Sequence, residues 1–205
     1  MSLVNLPVSV FDLALITVLA AGLFSGRKHG MSIELLDLLK WLAILVGGSA
    51  VYALAGEELA RFSRFFGLLF CYIAAYLGTA LAIWLLFTFL KRSMGGKLVG
   101  SDIFGRAEYY LGMISGVLRH GCMLLAALAL LNARLFNPME VRAMEKFQND
   151  ELGSDFFPTL YSVQHMVFER SIMGSWIKRN LGFLLIKRTE PDRRRPQPQE
   201  ANVPY

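Results

Sequence analysis

The chain has 205 residues, of which 55% are hydrophobic and only 18% charged, and its mean hydropathy is +0.45. Soluble domains carry roughly 45–50% apolar residues even with glycine counted, so this composition, with its apolar residues gathered into long runs, excludes an ordinary soluble domain and points to a membrane protein. The net charge of +5 is what loops facing an anionic leaflet carry, and nucleic acid is not inferred as a partner. The two cysteines, Cys71 and Cys122, lie inside apolar runs and read as small core residues rather than a disulfide or a metal pair. There is no CxxC, HExxH, glycine-rich phosphate loop or GxSxG, so the expectation is a non-enzymatic protein with no metal and no cofactor.

The residues before Val10 contain no lysine or arginine, unlike the basic start of a secretory signal, so a retained first span is expected over residues 8–26. Asp12 lies near its start, where a carboxylate favours the helix dipole; we read it as structural, the alternative being an ion- or proton-binding group. Gly26-Arg27-Lys28-His29-Gly30 reads as a tight basic turn, its two glycines free to take backbone shapes closed to other residues. The second span runs from Ile33 to about Gly56. Glu34, Asp37 and Lys40 recur every three residues along one side of it, and Asp37 with Lys40 forms a neutral pair. Trp41 follows as an interfacial anchor. These polar residues are either the entrance to a pathway or, the reading preferred, an amphipathic start at the interface before the helix dips through residues 41–56. Glu57 to Arg64 is a charged connection.

Residues 65–90 are uncharged and form the clearest span. At 1.5 Å per residue they would measure about 39 Å, more than the roughly 30 Å hydrocarbon core, so tilt is expected. Gly78 and Ala82 offer a small-xxx-small contact. Residues 91–107 read as a basic, glycine-rich loop, and residues 109–133 as the fourth span. On that helix Glu108, Gly112, Ser115, Gly116, Arg119 and Cys122 share one stripe. Its small residues allow another helix to approach closely. An arginine at a bilayer centre costs roughly 2.5–3.5 kcal/mol on insertion scales, so Arg119 should face protein or water. Glu108 stands about 16 Å from it along the axis, too far to pair. Its partner is therefore on another helix or in water, with Asp12 and Asp37 as candidates.

Six bases follow spans one and three (Arg27, Lys28, Lys91, Arg92, Lys97 and Arg106), against Arg61 and Arg64 after span two. Both termini are therefore expected outside the cytoplasm. In the tail, Asn137-Pro138-Met139-Glu140 has the cap, first-turn proline and capping-box acid of a helix start, with the helix reaching Phe147. A loop over 149–158, a helix over Thr159–Met173 and an interfacial helix over Trp176–Arg188 follow, the last read equally well as a small helix packed on the bundle. The fold class expected is all-α: a polytopic membrane protein with four transmembrane helices (residues 1–135), an amphipathic helical tail (136–190), and a disordered Pro/Arg-rich end (191–205).

Two separated patterns resemble the colicin V production protein family of bacterial inner-membrane proteins. The first is Asp12, then Gly26-Arg27-Lys28-His29-Gly30, then Glu34 and Trp41. The second is Glu108, Gly112, Gly116 and Arg119. The likeness covers residues 8–135, and departs from the family pattern at Glu108, where Asp is usual, and at His120, where Gly is usual. The resemblance implies a four-helix inner-membrane protein tied to production or export of a peptide toxin and to envelope homeostasis. It would act through the bilayer and other membrane or secretion proteins, or as a homo-oligomer. Some relatives carry a protease after the membrane domain. The tail here has no recognisable Ser-His-Asp arrangement, and nothing in the sequence makes Ser162 and His165 catalytic. The alternative reading is a small oligomeric channel or transporter lined by Asp12, Asp37, Lys40, Glu108, Arg119 and His120.

Overall fold

A computed structural model describes residues 9–62, 66–98, 107–147 and 159–191. Among these the chain is helical apart from short links and one isolated bridge, Arg134 to Thr189. The helices are α1 (Val10–Phe62), α2 (Leu68–Leu98), α3 (Glu108–Asn132), α4 (Pro138–Phe147), α5 (Leu160–His165) and α6 (Ile172–Asn180). Four segments are long and apolar enough to cross a membrane: Val10–Lys28, Glu34–Phe62, Leu68–Ser93 and Glu108–Asn132.

The first two spans are arms of one helix. The turn expected at Gly26–Gly30 does not interrupt it, since α1 stays helical from Val10 to Phe62. No proline falls within it, arginine and lysine are good helix formers, and a glycine inside a helix costs only about 1 kcal/mol relative to alanine. Yet the chain reverses. In a straight helix Ser25 and Asp37 would stand about 18 Å apart along the axis, whereas the Arg119 guanidinium lies 3.0 Å from Ser25 Oγ and 3.9 Å from Asp37 Oδ2. The fold-back therefore falls between the two spanning arms, around Lys28–Glu34.

The second arm does not stop before a charged connection; it carries Glu57 and Glu58 as far as Phe62, with Arg61 Nη1 2.6 Å from Glu58 Oε1 in the last turn. Likewise α2 continues past residue 90 to Leu98, so the first part of the expected basic loop is helical. The rest of that loop, residues 99–106, lies outside the described residues.

Glycines set how the spans pack. Gly22 and Gly26 on the first arm meet Gly116 and Gly112 on α3, running antiparallel. Gly48 and Gly56 on the second arm receive the Tyr76 and Tyr72 rings of α2, again antiparallel. The two arms, α2 and α3 thus alternate in direction, with α2 held by α1 and hardly touching α3. A Cβ on Gly78 would meet open space and Ala82 is exposed, so the small pair Gly78–Ala82 makes no close helix contact among the described residues.

At the end of the bundle away from the fold-back, the tail completes the core. Val167, Phe168, Ile177, Leu185 and Ile186 are buried with Tyr72 and Tyr76 of α2 and with Leu128 and Ala129 of α3, against Phe11, Leu15 and Tyr52 of α1. The α4 boundaries match the expected Asn137 start and Phe147 end, with Asn137 Oδ1 accepting from Met139 N at 3.4 Å. The helix expected over Thr159–Met173 is broken. Thr159 caps α5, the chain widens into a π-turn at Met166–Arg170, and Ser171 is extended before α6. The helix expected over Trp176–Arg188 ends at Asn180, and Gly182–Leu184 form a 3-10 turn. Leu185 and Ile186 then run non-helical and buried, because Thr189 exchanges backbone bonds with the end of α3 (Leu135 N to Thr189 O, 3.0 Å; Thr189 N to Ala133 O, 2.9 Å). The tail therefore packs on the bundle while leaving Trp176 and Phe183 exposed. The loop expected at 149–158 and the Pro/Arg-rich end beyond Pro191 lie outside the described residues.

Candidate functional site

The glycine crossing brings α3 close enough to α1 for a long side chain to bridge both arms. A Cβ on Gly26 would overlap the Gly112 carbonyl, and one on Gly116 would overlap the Gly22 carbonyl. Only glycines tolerate this spacing without the helices separating. Gly26 thus belongs to the helix crossing rather than to a turn. Gly22 is its partner at the i−4 position, a residue the sequence reading passed over although Gly22-xxx-Gly26 is itself a small-xxx-small pattern. Gly30 lies on helical backbone at the fold-back.

One turn beyond Gly116 on α3, Arg119 reaches into a polar cluster. Its Nη2 donates to Ser25 Oγ (3.0 Å), and its Nη1 lies 2.8 Å from Glu34 Oε2 and 3.9 Å from Asp37 Oδ2. The Glu34 approach is a charge contact whose angles depart from hydrogen-bond geometry. Glu34 is 1% exposed, the most enclosed acid of the described chain. Asp37 is shared further: Lys40 Nζ bonds its Oδ1 at 2.9 Å and Lys91 Nζ its Oδ2 at 3.0 Å. Two acids and three bases therefore tie together both arms of α1, α2 and α3. Buried charge is tolerated in a low-dielectric setting only when opposite charge lies within contact distance. Of the two partners expected for Arg119, Asp37 is a secondary one at 3.9 Å, and Glu34 stands closer.

Asp12 sits elsewhere. Its Oδ2 accepts from Ser9 N (3.1 Å), in its own first turn. Its Oδ1 accepts from Ser171 Oγ (2.6 Å) and from Met173 N (3.2 Å) at the start of α6. The carboxylate thus serves the N-termini of two helices, where unsatisfied N–H groups favour negative charge. Nearby, Asn132 donates to Ile186 O (2.9 Å) and accepts from Arg188 Nε (3.1 Å). Gln164 Nε2 donates to Leu131 O and Arg134 O, both 3.0 Å, at the end of α3. Asn132 and Gln164, buried polar residues of the tail contact, had no signal in the sequence beyond their polarity.

Trp41 is half-buried just past Lys40, and Glu108 stands in the first turn of α3, where its charge favours the dipole. His120 Nδ1 donates to the Gly116 carbonyl (2.9 Å) and packs where a Gly22 side chain would lie. The acids and bases named as a channel lining do not form one line: Asp12 is joined to the tail, while Asp37, Lys40 and Arg119 are joined to one another. Among the described residues, no three His, Cys, Asp or Glu side chains converge as metal ligands. Nor do Ser162 and His165 pair: Ser162 Oγ donates to Thr159 O (2.8 Å), and His165 lies 2.9 Å from Glu169.

Compared with protein-family models, with curated proteins and with solved structures, the chain matches none. The fold defines a class: a chain helical in its described residues, with four helices among them long and apolar enough to cross a membrane, as a multi-pass membrane protein has.

Proposed function

We propose that this chain is a non-enzymatic inner-membrane factor of the colicin V production type, supporting peptide toxin production or export and envelope homeostasis through partner proteins. The observation that carries the reading is the meeting of two separated sequence patterns in one contact: Gly26 against Gly112, with Glu34 against Arg119. Residues of a shared signature that touch one another serve a common structural purpose, here the clamping of the last span to the first two. The charges in that contact are neutralised by each other, which favours a scaffold over an ion route.

The bundle end carrying Arg27, Lys28, Lys91 and Arg92 is cytoplasmic under the positive-inside rule. The opposite end, with the docked tail, then faces the other side, and the exposed Trp176 and Phe183 suit the headgroup level there. Labelling of a cysteine added near Tyr205, in a chain with Cys71 and Cys122 replaced, tests this orientation. Labelling from the cytoplasmic side alone overturns it.

The second reading, an oligomeric channel or transporter, draws on the charged residues around Arg119. Ion flux through purified protein in liposomes separates the two. Flux abolished by Arg119→Ala in a folded protein would sink the scaffold reading. Absence of flux, with copurification of secretion or envelope proteins, supports it.

A further inference from the structure

A cavity of about 380 Å³ opens between the second arm of α1 and α2, on the outer side of the charge cluster. Its walls include Asp37, Lys40, Trp84, Phe87, Lys91 and Arg92. Three bases against one acid leave two positive charges in a site bounded by aromatic rings. Asp37 orders the basic side: Lys40 is held on one carboxylate oxygen and Lys91 on the other. An ammonium has three donors, and each lysine spends one on Asp37, so the remaining donors stay free for a second anion. Arg92 adds a planar fork suited to phosphate oxygens. Trp84, 45% exposed, lies two turns deeper along α2, on the apolar part of the span. Going along α2 from Arg92 to Trp84, the site changes from cationic to aromatic over about 12 Å. That ordering is what a phospholipid presents, a phosphate followed by acyl chain. Basic pockets between spanning helices near one membrane face are known to take anionic headgroups.

We propose that this groove binds the phosphate of an anionic phospholipid, with Lys40, Lys91 and Arg92 on the headgroup and Trp84 and Phe87 along the first part of a chain. The inference is independent of the family reading and of which face is cytoplasmic. Bound lipid would bridge α1 and α2 just beside the Asp37 and Arg119 contact, and so brace the helix that α3 hardly touches.

The test uses the full chain in detergent with Trp41→Phe and Trp176→Phe, which leaves Trp84 as the fluorescent reporter. Phosphatidylglycerol, phosphatidylcholine and inorganic phosphate are titrated separately. The expected result is saturable quenching or shift by phosphatidylglycerol, at least tenfold tighter than by phosphatidylcholine. Lys91→Gln with Arg92→Gln, both at exposed positions, should weaken it by about thirtyfold, since each base near an anionic lipid surface contributes about fivefold. Lys91→Arg should keep the preference. Equal affinity for the two lipids, or no loss in the double variant, overturns the site. Inorganic phosphate binding as tightly as phosphatidylglycerol overturns the lipid as its source. Unchanged helical content of each variant by circular dichroism ties any loss to the groove.

Discussion

Removing the Arg119 charge should be among the most damaging single changes to this bundle. In Arg119→Met, Glu34 keeps its place in the core at 1% exposure but loses the guanidinium that lies 2.8 Å away. Opposite charges about 4 Å apart gain about 4 kcal/mol at an effective dielectric of 20. Breaking one side of a buried pair costs about 3–5 kcal/mol, because the remaining charge loses its close counter-charge in a poor solvent. Charge partners found in the unfolded, membrane-bound chain reduce this, so about 3 kcal/mol is expected, or two orders of magnitude in the unfolding constant. Glu34→Met should cost a similar amount. The double variant should return to within about 1 kcal/mol of the parent, since a buried ion pair gains little over an apolar pair of like size. Reversible unfolding by denaturing detergent in mixed micelles, followed by circular dichroism, measures all four chains of the cycle. Additive single effects, or single variants within about 0.5 kcal/mol of the parent, would refute the argument that Arg119 and Glu34 depend on one another.

Gly26→Ala should destabilise by about 1–3 kcal/mol in the same assay, because the new methyl would run into the α3 backbone at Gly112 and Gly116 and the helices must separate; Gly78→Ala, whose new methyl would meet open space, should instead be neutral or stabilising by up to about 1 kcal/mol. Equal effects at the two positions would remove the packing role of the crossing. Asp12→Ala leaves Ser171 and the Met173 amide without their carboxylate and should cost about 1.5–3 kcal/mol. Its signature is trypsin cleavage at Lys178 or Arg179 that outpaces loss of the bundle. Asn132→Leu removes the donor to Ile186 O and the acceptor of Arg188 and should cost about 1–3 kcal/mol. Hydrogen exchange should then rise in residues 185–189 while the α3 core stays protected.

Composition and periodicity alone were enough for the all-helical class and the number of apolar spans, since a bilayer demands about 20 apolar residues per crossing wherever they lie in the chain. The stripe on α3 was legible for the same local reason: residues three and four apart share a face, and Gly112, Ser115 and Gly116 are buried together. So was the start of α4, which depends on a cap and a proline next to one another in sequence. What Arg119 touches was decided by tertiary structure, because the depth of a side chain on one helix relative to another depends on the fold-back and on the glycine crossing, neither of which is a local property. The contact role of Gly26 was hidden because glycine serves equally as a turn residue and as a contact residue, and only a facing helix distinguishes the two; the reversal itself falls just beyond it, around Lys28–Glu34. The tail was misread at Leu185 and Ile186 for a related reason: their apolar pattern suits an amphipathic helix, but bonds to Ala133 and Leu135 at the end of α3 hold that stretch of the tail out of helical form. Local pattern thus determined which segments are helices and which faces are small or charged. The three-dimensional arrangement alone determined that Glu34 meets Arg119, that Asp12 holds the tail, and that Asp37 gathers two lysines beside a groove.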